Sequence, residues 1–355
     1  RCQKSYHRVF ILLISHRRNK MKQLFKLSLA SVLVAGSMAV QAGTLADVLD
    51  RGELHCGVTT GVTGFSAPDS AGNWTGIDVD GCRSVAAAVF GDASKVKYVP
   101  LTAKERFTAL QSGEIDVLYR NTTWTMQRDA SLGLNFAGVN YYDGQGFMVM
   151  ESLGVTDAME LDGASVCIQA GTTTELNLAD WAGANGISYD SVVVETSAQS
   201  LDGFLAGRCD VLTSDVSQLA SLRAAMENPS DAVVLGNVIS KEPLGPVVRQ
   251  GDDEWFNIVK WTLIAMIQAE ESGVTSGNID TVTNNPTIER IAGRASETHE
   301  YLHLSPSWSY DIIKQVGNYG ESFERNIGVN TPIGLSRGPN QLWTKGGILY
   351  APAFR

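Results

Sequence analysis

One fragment occurs twice in this chain, and it falls on a junction that an α/β architecture supplies. Leu110-Gln-Ser-Gly113-Glu-Ile-Asp116-Val117-Leu118 parallels Phe204-Leu-Ala-Gly207-Arg-Cys-Asp210-Val211-Leu212, each with an apolar residue three before Gly and Asp-Val-Leu starting three after it. A glycine there suits the left-handed residue that ends a helix, and the apolar run beyond it suits a strand. Helix-Gly-strand junctions converge on such fragments, so the flanking pattern has to decide. Around the first copy, strands are predicted over 54–59, 97–101 and 115–119, with helices over 79–90 and 103–112. Around the second, strands fall at 165–169, 191–195 and 211–213, with helices at 174–184, 198–206 and 216–226. Gly91, Gly113, Gly186 and Gly207 stand where helices should stop. The same alternation twice predicts two related lobes built on parallel-rich sheets.

Extended segments near 144–152 and 242–250, the latter with Pro243 and Pro246, are placed to carry the chain between the lobes. A helix over 254–271 follows, with Trp255, Ile258, Val259, Leu263 and Ile267 on one apolar face. A further helix is predicted from the Ser305-Pro306-Ser307-Trp308 start signal to about residue 325. The Gly/Pro-rich stretch 331–355 reads as an ordered surface strap.

A chain of 355 residues suits two domains of the usual ~100–200 residues. With 44% hydrophobic and 19% charged residues, the composition excludes a disordered, collagen-like or multi-span membrane chain. Eight of the 28 Lys and Arg residues, and none of the 38 Asp and Glu, fall within 1–42, so the rest carries a formal charge of −18. Such a body repels phosphate backbones, and nucleic acid is not an expected partner.

That basic leader has the order of a secretory signal peptide. Met21, Lys22 and Lys26 precede an apolar run over 27–39, and Val40 and Ala42 occupy the −3 and −1 positions of a cut before Gly43. The run is shorter than the ~20 residues of a bilayer span, which argues against a membrane anchor. No Cys follows the cut, so no lipid anchor is indicated. Residues 1–20, with a short apolar patch at 9–14, read as sequence upstream of a start at Met21. The expected division is 1–42 as leader, 43–148 with 250–355 as lobe one plus a helical extension, and 149–249 as lobe two, in an exported protein.

Export also frames the cysteines. Cys2 leaves with the leader, and Cys56, Cys82, Cys167 and Cys209 remain as candidates for two disulfides in an oxidising compartment, with three possible connectivities. None are at C-x-x-C spacing, so zinc is poorly supported. A bond between lobes would clamp any hinge, and Cys167 and Cys209 fall on neighbouring strands. Cys56–Cys82 and Cys167–Cys209 are therefore the expected pairs.

Open α/β sheets bind ligands beyond the carboxyl ends of their strands. In lobe one that edge carries Tyr119-Arg120-Asn121-Thr122-Thr123-Trp124-Thr125-Met126-Gln127-Arg128, offering guanidinium forks, which match carboxylates in two-point geometry. In lobe two the edge Ala170-Gly171-Thr172-Thr173-Thr174-Glu175 opens a helix, either as an anion site or as an N-cap and nothing more. Thr213-Ser214-Asp215 adds a carboxylate that either holds an ammonium or caps the next helix.

A carboxylate site and an ammonium site in one cleft describe an α-amino acid. From about residue 44 to the C-terminus the chain resembles the periplasmic solute-binding proteins of polar amino acid ABC transporters, most of all the general L-amino acid-binding group. The resemblance is carried by Arg120-Asn-Thr-Thr-Trp-Thr125 with Arg128, Asn140-Tyr-Tyr-Asp-Gly-Gln-Gly-Phe-Met-Val149, Gln315-Val-Gly-Asn-Tyr-Gly-Glu321 and Trp343-Thr-Lys-Gly-Gly-Ile-Leu-Tyr-Ala-Pro352. It implies a type II periplasmic-binding fold, a two-segment hinge and a C-terminal helical extension. It places Arg128 on the ligand α-carboxylate, helped by Thr123, Thr172 and Thr173, and Asp215 on the α-ammonium. Asn121 and Arg120 fall at backbone-contacting or selectivity positions, and Gly61 to Phe65 before Gly76-Ile77-Asp78 at a pocket wall. The chain departs from the pattern at Tyr119, where a smaller residue such as Ser is expected. The implied function is capture of free L-amino acids by hinge closure and delivery to a membrane permease, by a monomer with no cofactor and no catalytic role.

Rival readings come from other classes. His299-Glu300-Tyr301-Leu302-His303 spells the zinc-hydrolase motif H-E-x-x-H, but that chemistry needs a continuous helix and a third ligand. Leu304-Ser305-Pro306 follows at once, and His55 is the one other histidine after residue 42. A dehydratase on the same fold needs a positioned acid or base, and the cleft sequences contain no His. The absence of G-x-x-x-x-G-K-[ST] separates the chain from the transporter's ATPase.

Overall fold

The structure, a computed structural model, describes residues 43–283, 285–295 and 297–355. The leader and its cleavage site lie outside the described residues. The chain begins with α1 (Thr44–Arg51), β1 (Leu54–Val58), the short ribbon β2 (Ala67–Pro68) and β3 (Trp74–Thr75), α2 (Ile77–Phe90), β4 (Val96–Pro100), α3 (Arg106–Ser112), β5 (Val117–Leu118), α4 (Met126–Ser131) and β6 (Leu134–Phe136). Next come β7 (Tyr141–Asp143), β8 (Gln145–Met150), β9 (Ala164–Gln169), α5 (Thr173–Asn185), β10 (Tyr189–Val194), α6 (Ser197–Leu205), β11 (Val211–Asp215), α7 (Val216–Ala224) and β12 (Ala232–Val234). The chain returns through β13 (Glu242–Leu244) and β14 (Val247–Arg249) to α8 (Asp253–Glu271), α9 (Pro286–Ile291), α10 (Thr298–Leu302), α11 (Trp308–Gln315) and α12 (Tyr319–Asn326).

The strands form two five-stranded sheets, β4-β1-β5-β14-β6 and β10-β9-β11-β8-β12. Within them β1 is parallel to β4 and β5, and β9 is parallel to β10 and β11. The duplicated fragment leads into β5 and β11, the middle strand of each sheet, so its repetition in the sequence is a repetition in topology. Each copy's Gly is left-handed, Gly113 at φ 79° and Gly207 at φ 66°.

Strand pairing moves the expected boundaries. β8 is antiparallel to β11 along its length, in a register from Val211 opposite Val149 to Asp215 opposite Gln145. Residues 145–148, assigned to lobe one from sequence, therefore hydrogen-bond within the second sheet. At the return, β14 pairs with β5 and β6, so residues 247–249 belong to the first sheet rather than the second lobe. What connects the lobes is a separate antiparallel ribbon, β7 with β13, Tyr142 opposite Pro243.

The predicted face of α8 is buried as read: Trp255, Ile258, Val259, Leu263 and Ile267 all enter the first lobe's core. Each large apolar side chain so buried contributes about 1.5–3 kcal/mol. The single helix predicted to about residue 325 is instead broken into α11 and α12. Gly317 is left-handed at φ 93°, and Asn318 then starts a new helix. Its Oδ1 accepts from the Glu321 N–H at 2.9 Å, while its own N–H donates to the Glu321 carboxylate at 2.8 Å. Disulfides join Cys56 to Cys82, tying β1 to α2, and Cys167 to Cys209, tying β9 to the segment before β11. Their Cα separations are 6.0 and 5.5 Å, within the normal range.

The C-terminal stretch is a strap on the first lobe and the connecting ribbon. Arg337 makes a two-point ion pair with Glu270 of α8, at 3.1 and 3.0 Å. Phe354 ends the strap against the Trp261 and Trp308 rings. Among the described residues, no helix is long and apolar enough to cross a membrane.

Candidate functional site

The middle strands β5 and β11 end facing one another, and the loops beyond them enclose a small polar cavity. Arg106, Arg120, Asn121 and Thr123 of the first lobe face Gln169, Thr172, Thr173, Thr174, Ser214, Asp215 and Gln218 of the second across a narrow cavity of about 20 Å³. The lobes already touch at its rim. Asn121 Nδ2 donates to Gln218 Oε1 at 3.0 Å, Arg106 Nη2 to the Gly171 carbonyl at 3.5 Å, and Lys104 pairs with Glu195 at 2.7 Å. Farther out, Ser221 Oγ donates to the Thr63 carbonyl at 2.8 Å.

Backbone strain fixes the first-lobe loop. Asn121 is left-handed at φ 33°, a conformation that costs a non-glycine residue about 1–3 kcal/mol unless its surroundings enforce it. Asp78 enforces it: its buried carboxylate accepts from the Asn121 N–H at 2.8 Å and from Asn140 Nδ2 at 3.0 Å. Burial pushes the Asp78 carboxyl up to about 6 against those hydrogen bonds. Asp78 thus holds the loop rather than lining the cavity, and residues 61–65 do not line it either. Arg120 is buried at the loop's base, its Nε donating to the Leu101 carbonyl at 3.1 Å and its Nη1 to Asn121 Oδ1 at 3.2 Å.

Arg128 follows the N-cap Thr125, whose hydroxyl accepts from the Arg128 N–H at 3.2 Å. Its guanidinium lies 5.2 Å from the centre of the Phe107 ring and donates to the Thr123 carbonyl at 2.9 Å. It therefore stands behind Thr123, outside the residues that line the cavity. Burial pulls both Arg120 and Arg128 down to about 10.

On the second lobe the alternatives separate. Thr172 is the α5 N-cap, its hydroxyl accepting from the Glu175 N–H at 3.3 Å and donating to the Gln169 carbonyl at 2.6 Å. Asp215, at the N-cap position of α7, makes no capping hydrogen bond with its side chain. Its carboxylate lines the cavity instead, buried, and burial followed by the nearby Asp143 and Glu242 carboxylates pushes its pKa well up. Arg106 and Arg128 act in the opposite direction from the first lobe.

Tyr119 does not shape the cavity. Its ring fills the space over Gly81 of α2, where a Cβ would come within 2.4 Å of it, and its hydroxyl is buried without a hydrogen-bond partner. The larger residue at this position is absorbed by a glycine in the first lobe's core.

Besides the lining amides Gln169 and Gln218, two charged residues at the site escape the sequence reading. Arg106 opens α3, is 2% exposed and lines the cavity, and its Nε has no partner. Burial, then repulsion by Arg128 and Arg120, pulls its pKa well below the ordinary value. A cation in a helix's first turn opposes the helix dipole, and that broken rule was the available signal. Glu242 looked like part of a linker. It is 1% exposed and reaches from β13 to the hydroxyls of Thr123 and Thr173.

The H-E-x-x-H motif lacks its structural context. α10 ends at Leu302, His303 is left-handed at φ 53° beyond it, and its imidazole pairs with Glu254. Among the described residues, no cluster of three or more His, Cys, Asp or Glu is placed to hold a metal ion.

Comparison with known proteins agrees with this geometry. The profile of the bacterial extracellular solute-binding proteins, family 3, matches residues 54–276. The general L-amino acid-binding periplasmic protein AapJ of Rhizobium johnstonii is 57% identical over 330 residues, 92% of this chain and 97% of that protein. The glutamate/glutamine/aspartate/asparagine-binding protein BztA of Rhodobacter capsulatus is 54% identical over 328 residues, 92% of this chain and 96% of that one. Among solved structures, a periplasmic binding protein from Brucella ovis with glutathione bound superposes with a TM-score of 0.86 at 52% identity, covering 89% of this chain and 100% of that chain.

Proposed function

Because this chain belongs to the bacterial extracellular solute-binding proteins, family 3, we propose that it captures a free L-amino acid between its lobes and presents it to the membrane permease of an ABC transporter. It does so in the periplasm as a monomer, without a cofactor and without catalysing a reaction. The observation that carries this reading is the charge arrangement of one cleft between the lobes. Arg106 and Arg120, with Arg128 behind Thr123, surround a space whose other wall presents the uncapped carboxylate of Asp215. Guanidiniums on one jaw and a carboxylate on the other match the two ends of a zwitterion.

The balance of charge also selects among amino acids. Arginines outnumber the one lining carboxylate, and the unpartnered Nε of Arg106 asks for another acceptor. An amino acid whose side chain ends in a carboxylate or amide supplies it, in keeping with the ligands named for the Rhodobacter relative. The ligand bridges loops from both lobes, so its binding stabilises the closed arrangement about β7 and β13.

The test is calorimetric titration of the protein, unfolded and refolded to strip carried-over ligand, with the standard L-amino acids. Glutamate, aspartate, glutamine and asparagine should bind, and Asp215→Ala and Arg128→Ala should each weaken binding at least about tenfold. No heat at millimolar concentrations of any of them would overturn the reading.

A further inference from the structure

The two threonines expected to help hold a ligand carboxylate are already engaged by a carboxylate of the protein. Glu242 Oε2 accepts from Thr123 Oγ1 at 2.6 Å and from Thr173 Oγ1 at 2.8 Å. Its Oε1 accepts from Asn177 Nδ2 and from Ser240 Oγ, both at 2.6 Å. Thr123 belongs to the first lobe's loop, Thr173 and Asn177 to α5 of the second lobe, and Glu242 itself to the connecting ribbon. Donors from both jaws thus converge on one carboxylate at the hinge, and all four hydrogen bonds are charge-assisted.

We propose that Glu242 is a positioning residue: a latch that ties the lobes together in the closed state and fixes the polarity of the wall facing the ligand. This deepens the function proposed above and rests on it for the ligand arm of the test. The latch follows from geometry, because Thr123 and Thr173 meet Glu242 together only when the lobes are closed. Their hydroxyl oxygens are 3.2 Å apart, so opening the cleft separates at least one of them from the carboxylate.

Wall polarity follows from proton counting. Each hydroxyl has one proton, and the ionised carboxylate is a closer and stronger acceptor than the neighbouring hydroxyl. With both O–H bonds turned toward Glu242, Thr123 and Thr173 present only lone pairs to the cavity they line. Their hydroxyls can accept from an ammonium but cannot donate to a carboxylate. Glu242 does not line that cavity and so does not compete for the space inside it. The two threonines are a partition with the latch on one side and the ligand on the other.

The experiment measures closure and ligand residence separately. Small-angle scattering of the ligand-free protein reads the first, and stopped-flow dissociation of glutamate the second. The wild type should scatter as the closed form, and Glu242→Gln, which puts a donor where donors converge, should scatter as an open one and release glutamate at least about tenfold faster. Thr173→Val should act in the same direction, and Thr173→Ser, which restores the hydroxyl, should recover wild-type values. That pair keeps the test decisive if Glu242→Gln does not fold. Scattering and dissociation unchanged in both Glu242→Gln and Thr173→Val would overturn the latch. A wild type that binds no amino acid would overturn the proposed function instead, and the scattering arm would still decide the latch.

Discussion

The side-chain amide of Asn340 pairs with both backbone groups of Tyr142: its Oδ1 accepts from the Tyr142 N–H at 2.7 Å and its Nδ2 donates to the Tyr142 carbonyl at 3.0 Å. Tyr142 lies on β7 opposite Pro243, which has no N–H to give, so its polar groups face away from β13. Asn340 thus acts as one residue of a third strand, and the Arg337–Glu270 ion pair anchors it to α8. Asn340→Ala should leave two part-buried backbone groups unpaired and cost about 1–3 kcal/mol in urea unfolding. The same variant should raise hydrogen exchange at the Tyr142 amide, and unchanged exchange there would show that the strap does not brace the hinge.

Arg106 separates ligand classes. If its free Nε waits for a side-chain acceptor, Arg106→Gln should weaken glutamate and aspartate at least about tenfold and leave alanine within about twofold. Titration of both classes is the check. An equal loss for alanine and glutamate would assign Arg106 to shaping the cavity rather than to reading the side chain.

Asp78 makes stability depend on pH in a defined direction. Its folded pKa, raised by burial to about 6, lies above its ordinary value of 3.8, so the folded state holds the proton more tightly than the unfolded one. The resulting stabilisation is full below the ordinary value and is lost as pH rises through about 6. A shift of that size corresponds to about 2–3 kcal/mol. Asp78→Asn has no such proton to lose, so the stability of wild type relative to this variant should fall by about that amount between pH 4 and 7. Denaturant curves at several pH values test it, and a constant difference would mean that Asp78 titrates normally.

The fold was legible because it rests on local signals that repeat. The fragments ending at Leu118 and Leu212 carry their own helix stop and strand start, and the α8 face repeats at helical spacing, so both survive into the structure. The lobe boundaries were less legible, because an extended segment at 145–148 looks alike whether it crosses between sheets or pairs within one. The antiparallel register with β11 that decides the matter is a long-range property. The site divided in the same way. Asp215 and Arg120 could be read from their places at and just beyond strand ends, whereas Arg106 and Glu242 reach it from a helix start and a hinge strand. Only tertiary packing brings those two to the cleft or its wall.

The disulfides give a prediction about where flexibility resides. Each joins elements of a single lobe, across sequence separations of 26 residues for Cys56–Cys82 and 42 for Cys167–Cys209. In the chain-entropy account, loops of these lengths contribute about 3.5 and about 4 kcal/mol to stability. Cys56→Ser with Cys82→Ser, and the matching pair in the second lobe, should therefore each lower the unfolding free energy by roughly these amounts. Neither bond crosses the β7–β13 ribbon, so both double variants should retain wild-type closure by scattering and wild-type ligand affinity at a temperature where they remain folded. Lost affinity in a folded Cys167→Ser, Cys209→Ser protein would show that this bond also holds the second lobe's cavity wall, where β9 ends at Gln169 and β11 at Asp215.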